Sequence, residues 1–300
     1  EIYADTQSHI SGNEMSFNGG KISLNNGSDL RASGDINISG EIEINMGKDT
    51  LFLSETQAFD GVVNAESDQS INISGGTINL NDNAQFIRGI MNRPAGADEE
   101  LMTENIDAKV KGNINMAGGT INMNGTSSIG VYTSDGKLAL DGSGISGSSA
   151  EELLAKAPTI NVNGNNAINS DIDIKDGLIK INKGATLTSG DINLTSGNYA
   201  SIIDLAGTLN ANVIGDGNTM GADKAQMTVW DANAKVKGTV EGLTDLNIRS
   251  DLSLASAFEQ GATYIKNINV YGSNLNLDNE KFKDAENLIL LSSSTIIWWN

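Results

Sequence analysis

Asp171 and Asp173 stand two apart in the run Asp171-Ile172-Asp173-Ile174-Lys175, with Lys180 close behind. Residues two apart on a strand project from the same side, so this spacing sets two carboxylates beside each other. Acid–base cleavage of a glycosidic bond needs two carboxyl groups at a set separation, and a lyase would add Lys175 or Lys180 as base. An Asp-x-Asp pair is a weak signal in a chain with 38 acidic residues. His9 is the only histidine, and there is no cysteine. That excludes a Ser–His–Asp triad, a multi-histidine metal site, a thiol nucleophile and a cysteine-based zinc site. The stretch Asp216-Gly217-Asn218-Thr219-Met220-Gly221 opens like an EF-hand loop. Met220 offers no oxygen at its fifth position, and Met227 stands where the twelfth-position Glu belongs. No phosphate-binding GxxxxGK[ST] loop is present. The reading is a chain that is not an enzyme, with no catalytic residue, no metal site and no cofactor.

The elements that would position any site are repeats. Ile36 to Gly47 reads INISGEIEINMG, Ile71 to Asp82 reads INISGGTINLND, and Ile114 to Gly125 reads INMAGGTINMNG. Looser copies are Ile160 to Gly164, Asp171 to Gly177, Ile179 to Gly184 and Asp191 to Gly197. Alternation puts Ile71, Ile73, Ile78 and Leu80 on one face and Asn72 and Asn79 on the other. Ser74-Gly75-Gly76 permits a sharp corner between two strands of about three residues. Such a pair is not stable alone, but stacked copies cover each other. The fold class is therefore all-β, a right-handed parallel β-helix with short helical or loop excursions, continuous over residues 1–300. Matching isoleucines lie 35 and 43 residues apart. A coil takes roughly 20 residues, so each gap is expected to hold two coils, with about 12 to 14 coils in all. At about 4.8 Å per strand the stack would be on the order of 60 Å long. Met46, Met116 and Met123 fall at core phases, and the Asn positions either form ladders from coil to coil or simply tolerate turns. The N-x-[ST] triplets at Asn26, Asn37, Asn72, Asn124 and Asn193 read as structural.

Two stretches break the pattern, near 84–109 and 146–158. In the first, Asp98 to Glu104 is expected as a short helix. In the second, Ser149-Ala150-Glu151-Glu152 is a capping box, Leu153, Leu154 and Ala157 form an apolar side, and Pro158 ends the helix. Insertions between repeats often carry binding, and Phe86, Arg88 and Arg93 are the candidate contact residues. Lys281 to Asn287 reads as a helical turn, and Ile296 to Trp299 as a strand.

A net charge of −19 and a pI of about 4.3 disfavour nucleic acid and anionic lipid as partners. No apolar run approaches the roughly 20 residues that span a bilayer. The chain begins at Glu1 without a signal-peptide pattern, as a processed segment or a fragment would.

The units INISGGTINLND and INMAGGTINMNG, the Asn/Gly/Ser-rich coils and the stretch NGTSSIGVYTSDGKLAL resemble the passenger region of Gram-negative autotransporters. The resemblance covers most of the chain and lies in its texture. It implies an exported β-helix held at the outer membrane by a barrel that is not in this chain, or secreted. It also implies adhesion, aggregation or virulence, through a host or bacterial cell-surface protein or glycan, with self-association open to it. A spacer stalk within a larger surface protein is the alternative, and a polysaccharide-cleaving enzyme ranks behind both.

Overall fold

Ile71, Ile73, Ile78 and Leu80 are all buried, while Asn72 and Asn79 on the opposite side are half-buried. The computed structural model describes residues 1–195, 197–216, 225–277 and 284–298. In it the unit is one bent strand, Ile71–Leu80, whose corner turns at Gly76 with φ of 84°. Glycine is required there twice over. The dihedral is left-handed, and a Cβ would run into the carbonyl of Ile42 in the neighbouring strand.

The units stack in parallel and nearly in register. Ile36 pairs with Ile71 and Ile71 with Ile114, while Ile44 pairs with Ile78 and Ile78 with Ile121. The 35- and 43-residue gaps therefore hold one turn of the stack each, and not the two expected. The surplus residues leave as outward loops at 60–70 and 94–113, so they add length to the chain without adding a layer. One column passes through Ile2, Ile22, Ile44, Ile78, Ile121, Ile160, Ile179, Ile203, Met227, Leu246, Ile268 and Leu288. That makes twelve layers among the described residues.

After Ile114–Met123 the bent strand divides. Ile114 to Met116 pair with Leu138 to Leu140, and Thr120 to Met123 pair with Thr159 to Val162. From there two columns continue separately within the 18-stranded sheet. A second, mainly parallel sheet of ten strands runs from His9–Gly12 through Leu51–Phe59 and Gln85–Arg93 to Lys235–Val236. Leu252–Ser253, Asn274–Leu277 and Thr295–Trp298 form a third sheet of three strands. The architecture is all-β, parallel and solenoid-like. A single apolar cluster joins the layers from Ala4 to Leu277 and takes in Met46, Met116 and Met123.

Asparagine does more here than tolerate turns. Asn72 donates to Asn37 at 3.1 Å, and Asn115 to Asn72 at 2.9 Å. A second ladder joins Asn45, Asn79, Asn122 and Asn161 at 2.7–2.9 Å. A third joins Asn81, Asn124, Asn163 and Asn182. An amide both donates and accepts, so identical amides one layer apart satisfy each other. Asn37, Asn72 and Asn193 lie in strands with their amides engaged in this way or with Asp173.

The two excursions differ from expectation unequally. Gln85–Arg93 is a strand of the stack, so the first excursion begins only after Arg93. Within it Glu100–Met102 is a strand antiparallel to Gln85–Arg93, where a helix was expected. Leu101 and Met102 pack into two different apolar clusters, on opposite sides, as alternation along a strand requires. The second excursion does contain a helix, Ala150–Lys156. Ser149 caps it, accepting from the Glu152 amide at 3.2 Å. The Glu152 carboxylate accepts from Ser148 N and Oγ at 2.9 and 2.8 Å and from Lys156 Nζ at 2.7 Å. Chiefly the Lys156 bond, then the Ser148 bonds, hold that carboxyl down at about 2. A lowered folded-state pKa stabilises the helix above the ordinary value of 4.5 and loses that contribution as pH falls toward 2. A ¹³C carboxyl titration of Glu152 is expected to place its midpoint well below 4; a midpoint at 4.5 refutes the cap. Of the segment expected as a helical turn, 281–283 lie outside the described residues, and Asn287 opens the strand Asn287–Leu291.

Candidate functional site

Leu51–Phe59 and Gln85–Arg93 are nine residues long, against four in their stack neighbours Asp29–Ala32 and Ser128–Val131. Their first halves sit in the ten-stranded sheet. Their second halves pair with each other, from Glu55 with Gly89 to Phe59 with Arg93, and Ile90 to Asn92 pair in addition with Glu100–Met102. They form a small lobe on the side of the stack. One cluster of Ala58, Val63, Ile90 and Val110 and another of Leu53, Ile87 and Met91 supply its own apolar contacts.

The lobe's tip is a two-residue turn. Phe59 and Val62 exchange backbone bonds of 3.0 and 2.9 Å. Asp60 and Gly61 between them have φ of 50° and 79°, the conformation in which Asp-Gly favours a tight hairpin. Asn92 Oδ1 accepts from Gly61 N, and Asp60 Oδ1 from Ala95 N, both at 2.8 Å. The turn leaves Phe59 49% and Val62 56% exposed, side by side. Neither residue was singled out from the sequence; the Asp60-Gly61 pair between them is a hairpin signal that could have found them.

Arg88 and Phe86 are not contact residues, because both are wholly buried. Phe86 points into the core and stacks on Phe52 with ring centroids 4.9 Å apart. Arg88, two residues further along the same strand, faces the same side, and the segments around Ser67–Gln69 and Lys111 fold over it. Its Nε donates to Gln69 O at 2.5 Å. Nη1 donates to Ser54 O and Gly89 O at 3.3 and 3.0 Å. Nη2 donates to Thr56 Oγ1, Ser67 Oγ and Lys111 O at 2.9–3.1 Å. Burial lowers its pKa to about 10, with Asp35 and Asp68 pulling the other way, so it stays charged at neutral pH. It fastens the loops to the strand.

Arg93 does reach the surface, at the tip beside Phe59. Its Nε lies 3.0 Å from Glu99 and its Nη2 3.4 Å from Glu55. The Nε contact is close enough for an ion pair but lacks hydrogen-bond geometry. Glu99 also takes Arg31 Nη1 at 2.6 Å, Arg31 holds Asp29 at 2.9 Å, and Asp29 meets His9. A chain of polar and charged contacts thus crosses neighbouring strands from His9 to Glu55. The Arg31–Glu99 and Arg93–Glu99 pairs, partly exposed, contribute about 0–1 kcal/mol each, whereas Glu55 is buried. At the lobe's foot Glu66, Ser67, Asp68, Ala108, Lys109 and Lys111 line an open hollow of about 560 Å³.

Asp171 and Asp173 do face one side of a strand, but each is engaged in the stack. Asp171 accepts from Asp191 N at 2.9 Å. Asp173 accepts from Asn193 Nδ2 at 2.9 Å and pairs with Lys137. Lys175 ends the same strand, and Lys180 stands in the neighbouring column. Of the EF-hand-like stretch only Asp216 is described, and 217–221 lie outside the described residues. Among the described residues no group of three or more His, Cys, Asp or Glu is placed to hold a metal ion, and no helix is long and apolar enough to cross a membrane. Comparison of the chain with protein-family models, with curated proteins and with solved structures finds no match.

Proposed function

We propose that this chain is an adhesive rod, a right-handed parallel β-helix displayed outside a Gram-negative cell as part of an autotransporter passenger, and that it attaches through its side lobe without catalysis. The observation that carries this reading is the lobe tip. Two apolar side chains, Phe59 and Val62, stand exposed beside Arg93 on a turn held at both sides by side-chain bonds. Aromatic residues and arginine are enriched where proteins bind each other, and the buried Arg88 keeps the tip from moving relative to the stack. A rigid tip loses little freedom on binding. The partner that fits is a cell-surface protein with an apolar pocket for the two side chains.

The test is a double variant, Phe59→Ser with Val62→Ser, in the full chain. Adhesion to epithelial or bacterial cells is expected to fall about 30-fold or more, the size of a hot-spot loss, with circular dichroism and melting temperature unchanged. Adhesion equal to the parent's sinks the proposal. It would favour the spacer-stalk reading, which draws support from the regular layers from Ile160 through Ile179 to Ile203.

A further inference from the structure

A second surface feature lies far along the chain from the lobe. Leu205, Val229, Ile248 and Val270 stack in register, so the residues that follow them, Ala206, Trp230, Arg249 and Tyr271, occupy one position in four successive layers. Three of these four are planar. The Arg249 guanidinium lies 5.3 Å from the Trp230 ring centre and 3.8 Å from that of Tyr271. Arg249 is thus held flat by cation–π contacts on both faces. Its N–H edge has no carboxylate partner among the described residues, in a chain of net charge −19.

The ladder stops at Ala206. One layer before Trp230 there is only a methyl group, followed by Gly207, so the indole face away from Arg249 is not covered by a neighbouring ring. Trp230 is 50% exposed. Its Nε1 donates to Asp204 Oδ1 at 3.1 Å, which fixes the ring's orientation. Lys183 and Asp231 form an ion pair at 2.7 Å, linking the layer before Ala206 to the layer after it. The open indole face is therefore flanked by the carboxylates of Asp204 and Asp231 and the ammonium of Lys183, while Arg249 backs the opposite face.

We propose that Trp230, with Asp204, Arg249 and the Lys183–Asp231 pair around it, is a binding site for a neutral pyranose oligosaccharide. The apolar C–H face of a sugar ring matches an exposed indole. Its hydroxyls, each donor and acceptor, match carboxylates that only accept and the Lys183 ammonium that only donates, with Arg249 holding the indole from behind. A uronate or sialic acid would meet the carboxylates of Asp204 and Asp231 at short range. This site stands independently of the lobe.

The test uses the full chain against immobilised oligosaccharides of neutral hexoses and N-acetylhexosamines, with uronate-containing and sialylated ones alongside, and calorimetric titration of the strongest. Binding of a neutral oligosaccharide is expected. Trp230→Ala should weaken it by about tenfold or more, and Trp230→Phe should retain most of it. Arg249→Ala, which removes only an exposed side chain, should weaken it about tenfold where Arg249→Lys restores only part. The Phe59/Val62 double variant should bind the sugar as the parent does. The proposal is overturned if no neutral oligosaccharide binds, if only charged ones bind, or if Trp230→Ala and Arg249→Ala bind like the parent.

Discussion

Replacing Arg88 by methionine is expected to destabilise the lobe by at least about 3 kcal/mol. Four backbone carbonyls, those of Ser54, Gln69, Gly89 and Lys111, would each lose a donor in a buried setting. Each unpaired buried acceptor costs about 1–3 kcal/mol, although some would recruit water. Methionine fills volume but donates nothing. Lysine keeps the charge, yet its ammonium has three donors on one point and cannot reproduce the fork, so Arg88→Lys should fall between. Amide hydrogen exchange is the measurement. Protection at 55–59 and 89–93 should drop while the layers between Ile160 and Ile203 keep theirs, since stability in a stack is summed over neighbours. Uniform protection in the variant would show that Arg88 does not fasten the lobe. The contribution of Arg88 is flat with pH from neutral up to about 10, because below its lowered pKa both folded and unfolded chains hold the proton.

Phe86→Ala is expected to cost roughly 3–5 kcal/mol, as large-to-small changes in packed cores do. The ring is wholly buried and stacks on Phe52, which in turn lies 6.4 Å from Phe17. The expected readout is a lowered urea midpoint. Phe59→Ala is the control: the same residue type, half exposed, should change stability by only about 0.5 kcal/mol or less. A Phe86→Ala chain as stable as the parent, or a Phe59→Ala chain as unstable as Phe86→Ala, would reverse the assignment of core and tip.

The repeat was legible because its chemistry is local. Ile-Asn-Ile followed by Ser-Gly-Gly specifies alternation and a corner within six residues, and Gly76 confirms the corner with a positive φ. The capping box at Ser149 is equally local, and its helix forms where the residues place it. Glu100–Met102 was not legible, because a three-residue strand has no stability of its own. Its conformation is decided by Ile90, Met91 and Asn92, which it pairs with across the turn. Arg88 and Phe86 stood in a stretch that read as an excursion, so their burial was hidden. An arginine in a loop is ordinarily solvated; this one is covered because residues 67–69 and 111 come back over it.

The amino-acid sequence by itself determined the unit and its parallel stacking, since each rests on alternation and turn chemistry within a dozen residues; it left open whether the asparagines form ladders or only tolerate turns, which the stacked layers decided. It also excluded any site that needs cysteine or more than one histidine. What only the tertiary structure decided is where each long gap goes, and which side chains meet. Whether 35 residues make two layers or one layer with a loop depends on contacts from Gln69 to Arg88 and from Val63 to Val110. Those contacts form only when segments distant in the chain are brought together. The same holds for Ala206, Trp230, Arg249 and Tyr271, which are 19 to 24 residues apart in the chain and share one surface only because the layers between them stack in register.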